Sequence, residues 1–191
     1  MRRVNGRLIA LAVLAGLVAA GGAQAAPAAP AKQIAAKRLH ARLGAVAPGT
    51  KVRDSALFGV RTFWNARDGF ALADVRQAQY PARTTDGGKT WRIDGPQFHV
   101  NAADAPEAVG FVGMAGPRRL FAYGASVVDA STDGGRTWWE AFLGDLVVAV
   151  VPGPGRLVAY VQHEAGTRAV TSQYVSRDGG RHWRLSTAIG G

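Results

Sequence analysis

One octapeptide occurs three times in this chain, as Thr84-Thr85-Asp86-Gly87-Gly88-Lys89-Thr90-Trp91, Ser131-Thr132-Asp133-Gly134-Gly135-Arg136-Thr137-Trp138 and Ser176-Arg177-Asp178-Gly179-Gly180-Arg181-His182-Trp183. Its aspartates stand 47 and then 45 residues apart. A near-constant period of that size marks stacked supersecondary units, each of which buries its apolar face only against a neighbour. The repeat therefore constrains the fold more than any single residue does, and it counts against reading the three aspartates as reagents.

Each copy carries a hydroxyl residue, a spacer, Asp-Gly-Gly, a basic residue, Thr or His, and Trp. Asp-Gly is a hairpin signal because tight turns need residues that tolerate positive φ. The aspartate can accept hydrogen bonds from the amides of its own turn, with Ser or Thr two residues earlier joining that network. The Trp, five residues past the aspartate, falls on the outgoing strand, where a large ring can bury against its own unit or the next.

The sequence before each copy supplies further strands. Val60 to Trp64 and Phe70 to Ala73 flank the turn Asn65-Ala66-Arg67-Asp68-Gly69. Ala108 to Val112 and Leu120 to Tyr123 flank a turn with Gly116-Pro117, and Leu146 to Val151 and Leu157 to Val161 flank Pro152-Gly153-Pro154-Gly155. Their valine and aromatic content and the bounding turns favour strands over buried helices. The third unit has the longest insertion before its octapeptide, and Gln162 to Arg168 read as a loop there. Insertions in repeat arrays fall on one face, so His163 and Arg168 are candidates for contacting a partner. Trp138-Trp139 is a doublet on a strand, where neighbours face opposite ways. One ring enters the core, and Trp139 is available to a neighbouring unit or a partner.

The octapeptide resembles the Asp-box, or BNR repeat, Ser/Thr-x-Asp-x-Gly-x-Thr-Trp. The first two copies fit throughout, and the third departs once, at His182. The resemblance covers roughly residues 55–188. It implies an all-β fold of antiparallel four-stranded blades, here about three, forming a partial or oligomer-completed β-propeller, with each box joining the third and fourth strands of a blade. It also implies a structural role for Thr84, Asp86, Gly88, Thr90, Trp91, Ser131, Asp133, Gly135, Thr137, Trp138, Ser176, Asp178, Gly180 and Trp183. Proteins with this repeat include sialidases and other glycosidases, sortilin-type receptors and photosystem II assembly factors.

Outside the repeat the chain divides readily. Arg2, Arg3 and Arg7 precede an apolar run from Leu8 to Ala20 and then Ala23-Gln24-Ala25, the pattern of a secretory signal peptide cleaved after Ala25. Residues 26–53 read as a basic Ala/Pro-rich linker, disordered or weakly helical. Residues 54–191 form the repeat domain, with units at about 56–94, 106–142 and 145–188. The chain has no cysteine, which excludes disulfides, thiolate metal sites and thiol nucleophiles. The net charge of +10 is unevenly placed. Fourteen Lys/Arg face thirteen Asp/Glu from Asp54 onward, whereas Lys32, Lys37, Arg38, Arg42, Lys51 and Arg53 are uncompensated. A basic arm of this kind can touch anionic surfaces. No interleaving of aromatic and basic residues points to nucleic acid.

Catalytic signals are sparse. His40, His99, His163 and His182 lack zinc-ligand spacing. There is no Gly-x-Ser-x-Gly elbow and no phosphate-binding loop before a helix. A sialidase-type site needs an arginine cluster for the substrate carboxylate and a tyrosine–glutamate pair; tyrosines and glutamates are present, but not in a recognisable motif. The sequence thus points to a secreted or extracytoplasmic binding or scaffold protein for a protein or glycan partner, without cofactor or metal, capable of self-association to close a ring. A sialidase-type fragment and a photosystem II assembly-type factor are the competing readings.

Overall fold

The computed structural model describes residues 33–98, 108–166 and 168–189. The segment preceding the repeats supplies β1 (Gln33–Ala35), β2 (Lys37–Arg38) and β3 (Lys51–Val52), followed by a 3-10 turn at Asp54–Ala56. The first unit contributes β4 (Leu57–Phe63), β5 (Gly69–Val75), β6 (Ala78–Thr84) and β7 (Trp91–Ile93). The second contributes β8 (Phe111–Gly116), β9 (Arg119–Gly124), β10 (Val127–Ser131) and β11 (Trp139–Phe142). The third contributes β12 (Leu146–Gly153), β13 (Arg156–Ala165), β14 (Arg168–Ser176) and β15 (His182–Ile189).

These strands make three five-stranded antiparallel sheets that are not closed into a barrel. Each is an up-and-down meander from one repeat unit, and the octapeptide joins its third and fourth strands. The fifth strand comes from the N-terminal segment. β3 pairs with β7, β2 with β11 and β1 with β15. The segment thus runs across the sheets in reverse order, third to first, and covers the edge each unit would otherwise leave open. Backbone bonds extend the pairing: the Ala36 amide donates to the Arg181 carbonyl at 2.8 Å, Leu39 to Trp138 at 2.9 Å and Ile93 to Thr50 at 2.9 Å.

The basic stretch read as a linker is therefore a strap from Gln33 onward. Its apolar residues explain why. Ile34 and Ala36 pack against the cluster between the second and third sheets, which contains Phe121, Val128, Leu143, Val147 and Trp183. Leu39 reaches the cluster between the first and second sheets, built on Phe70, Leu72, Phe98, Leu120 and Trp138. Ala45, Val46 and Val52 cover the outer face of the first sheet over Ala71, Ala73, Tyr80 and Trp91. The Tyr80 hydroxyl fixes that cover by accepting from the Val46 amide at 3.1 Å and donating to Gln97 Oε1 at 3.2 Å.

Two further readings change. Gln162 to Ala165 and Arg168 are strand, not loop. Gln162, His163 and Glu164 pair with Thr171, Val170 and Ala169, so the insertion lengthens the β13–β14 hairpin. The β-branched residues opposite sustain the ladder to the turn. The first strand of the second unit begins at Phe111, three residues after the expected start. Residues 1–25, read above as a signal peptide, residues 26–32 and the stretch 99–107 between units lie outside the described residues.

Candidate functional site

The three boxes share one hydrogen-bonded design. In the first, Thr84 Oγ1 donates to Asp86 Oδ1 at 2.7 Å and accepts the Gly88 amide at 2.9 Å. Asp86 also accepts the Thr90 amide on Oδ1 at 2.9 Å and the Thr90 hydroxyl on Oδ2 at 2.6 Å. In the second, Ser131 Oγ and the Thr137 amide both donate to Asp133 Oδ1 at 2.9 Å, and the Gly135 amide donates to Ser131 Oγ at the same distance. In the third, Asp178 Oδ1 accepts Ser176 Oγ at 2.9 Å and the amides of Arg181 and His182 at 3.1 and 3.0 Å. His182 stands where the other two copies have Thr90 and Thr137, and its Nδ1 lies 2.6 Å from Asp178 Oδ2.

Donors aimed at a carboxylate favour its charged form. The hydroxyl and amide of Thr90, with the Thr84 hydroxyl, hold Asp86 well below the usual carboxylate range. Burial pushes Asp133 and Asp178 up, but the bonds from Thr137 and Ser131, and from His182 and Ser176, outweigh it, and both end below the ordinary value. All three are acceptors used up by their own turns. None is a poised acid or base.

The boxes also stack the units. Trp91, Trp138 and Trp183 are buried, each in a different cluster. Trp138 packs back onto the first sheet, 5.7 Å from Phe70 and 4.8 Å from Phe98 between ring centroids. Trp183 packs back onto the second. Among the described residues no sheet precedes Trp91, and Val46 and Val52 of the strap cover its cluster. The second box glycine permits this approach. A Cβ on Gly135 would fall 2.6 Å from the Asp94 carbonyl oxygen, and one on Gly180 would strike Ala130. Both glycines also hold positive φ, +93° and +97°.

Beside the second box, Arg83 Nη1 donates to the Gly134 carbonyl at 3.1 Å and Arg83 Nε stands 3.5 Å from Asp94 Oδ2. Burial raises Asp94 to about 6, against the pull of Arg83.

Of the residues expected to meet a partner, Trp139 is half-buried with the Arg181 guanidinium 5.1 Å above its ring, an inter-unit contact. His163 and Arg168 lie at the hairpin end of the third sheet, opposite the end that carries its box. The structure does not bring them together with Trp139. Among the described residues no group of three or more His, Asp or Glu could hold a metal ion.

A concavity lies elsewhere. A groove of about 550 Å³ opens on the outer face of the third sheet, floored by Val158 and Val175 and edged by Arg156, Arg177, Arg184 and Leu185. The sequence carries a usable signal for it. Arg184 follows its box Trp directly, the position Trp139 fills in the second unit. No family model, no curated protein and no solved structure matches the chain.

Proposed function

We propose that this chain is an exported, non-catalytic Asp-box repeat protein, a partial propeller of three sheets that serves as a binding or scaffold module. One observation carries the reading: all three box carboxylates are engaged by hydroxyls and amides of their own turns. That use is structural and leaves none of the three box carboxylates free for acid–base work. Tyr80, a nucleophile candidate on a sialidase reading, is buried at 2 % exposure and bonded to Val46 and Gln97.

Ring closure by a second copy faces a specific obstacle. The outer face of the first sheet, onto which another unit would stack, is occupied by Ala45, Val46 and Val52 of the same chain. We therefore place recognition on the third sheet and read the protein as a monomeric open array.

Purified full chain should release no fluorophore from a sialoside substrate above the buffer rate, and light scattering should return the monomer mass. Sialoside hydrolysis would replace the binding reading with a glycosidase one, and a stable dimer would return the shared ring.

A further inference from the structure

We propose that the outer face of the third sheet is a docking groove for an acidic, aliphatic segment of a partner protein. This rests on the binding-module reading above and names the surface and the chemistry it takes.

The repeat register shows what this face would otherwise be. Phe70 pairs with Arg83, Phe121 with Ala130 and Val158 with Val175, and each second member stands three residues before its box aspartate. Phe70 and Phe121 are the buried residues that receive Trp138 and Trp183 of the following unit. On the third sheet Val158 holds that position, and among the described residues no sheet follows it. Val158 and Val175 instead floor the groove.

The rim identifies the occupant. Arg156, Arg177 and Arg184 are exposed, and none has a carboxylate partner among the described residues. Arg184 Nε donates to Gln33 Oε1 of the strap at 3.0 Å, which steadies one guanidinium at the rim. Asp178, the acid at the groove, is committed to Ser176 and His182. Another apolar sheet placed here would bury three unmatched cations, at a large desolvation cost. Two copies placed face to face would oppose arginine with arginine. A chain bearing carboxylates satisfies the rim, and guanidinium–carboxylate pairs are directional and strong. The floor favours protein over acidic polysaccharide. It is built on the aliphatic Val158 and Val175 with Leu185 at its edge, and no Trp, Tyr or Phe lines the groove to stack on a sugar. Alternating carboxylate and aliphatic side chains match rim and floor together.

The test uses the full chain and a short fluorescein-labelled peptide of alternating glutamate and leucine, followed by fluorescence anisotropy. Saturable binding is expected that weakens with salt and falls by roughly tenfold or more in the double variant Arg177→Glu/Arg184→Glu. The milder Arg184→Gln should weaken it less, and Arg76→Glu, on an exposed turn of the first unit, should leave it unchanged. Thermal melts verify that each variant folds. No saturable binding of this peptide overturns the proposal. So does binding that the double variant retains, which would sink the groove yet leave a binding module. Saturable binding of dextran sulfate without binding of the peptide overturns the protein-segment assignment. Only sialoside hydrolysis would remove the underlying reading.

Discussion

The side-chain amide of Gln79 replaces a strand partner for the backbone of Val109. Its Nε2 donates to the Val109 carbonyl at 3.0 Å, and its Oε1 accepts the Val109 amide at 3.1 Å. Gln79 belongs to the first sheet and Val109 leads into the second; both are buried. One side chain thereby satisfies two polar groups where two units meet and no ladder can form.

Gln79→Ala should therefore cost more than an ordinary hydrogen bond. It leaves a buried N–H and C=O without partners, at about 1–3 kcal/mol each. The expected loss is about 2–6 kcal/mol in urea unfolding. Gln79→Glu should not rescue it, because a carboxylate would face the Val109 carbonyl. A loss below about 0.5 kcal/mol would show that water replaces the clamp at no cost.

Box aspartates should behave as turn braces. Asp133→Ala removes the acceptor for Ser131 Oγ and the Thr137 amide, and should cost about 1–2 kcal/mol. Asp133→Asn keeps one oxygen acceptor and should cost less. Chemical denaturation of both variants decides the matter: equal, negligible losses would remove the bracing role.

Acidity should act on stability with two opposite signs. Asp86, Asp133 and Asp178 have folded pKa values below their unfolded ones. Their stabilisation is complete above the unfolded value of about 3.9 and is lost as pH falls through the lower folded values. Asp94 runs the other way. Its folded value is about 6, so the folded state holds the extra proton between about 4 and 6 and stability falls as pH rises through that window. Because this carboxyl is a third exposed, solvent screening reduces the effect to about 1 kcal/mol. The melting temperature should decline between pH 4 and pH 7 in the wild type, and Asp94→Asn should flatten that slope. An unchanged slope in the variant would assign it to another group.

Removing the strap should expose three sheet edges at once. A chain starting at Asp54 would leave β7, β11 and β15 without their outer partners and would uncover Trp91 and Tyr80. Unprotected edges template aggregation. The truncated protein should aggregate in light scattering, with red-shifted tryptophan fluorescence. A synthetic peptide spanning residues 33–53 should restore solubility when added during refolding. A truncated chain that stays monomeric with unchanged fluorescence would show the strap to be dispensable.

Much of the array was legible because its signals are local. Three boxes at a near-constant period, with valine- and aromatic-rich apolar runs before them, specify three meanders whatever surrounds them. The hydroxyl–aspartate–glycine spacing also specifies the turn network, since every partner lies within four residues. The strap was not legible. β1, β2 and β3 are two or three residues long, and in an Ala/Pro-rich basic stretch they have no periodicity that separates them from a linker. They are strands because edges built elsewhere in the chain present unpaired amides and carbonyls to them. The β13–β14 hairpin was misplaced for a related reason, since Gln162 to Glu164 lack strand-like composition and take their conformation from Val170 and Thr171 opposite.

The sequence alone therefore determined the number of units, the chemistry of their turns and the place of each box tryptophan, because these depend on contacts between residues close in the chain. The tertiary structure decided which face each tryptophan buries, that Val46 and Val52 cover the cluster of the first sheet, and that Arg156, Arg177 and Arg184 meet around Val158 at the last. Those relations join residues far apart in sequence, and only the stacking of the sheets sets the distances between them.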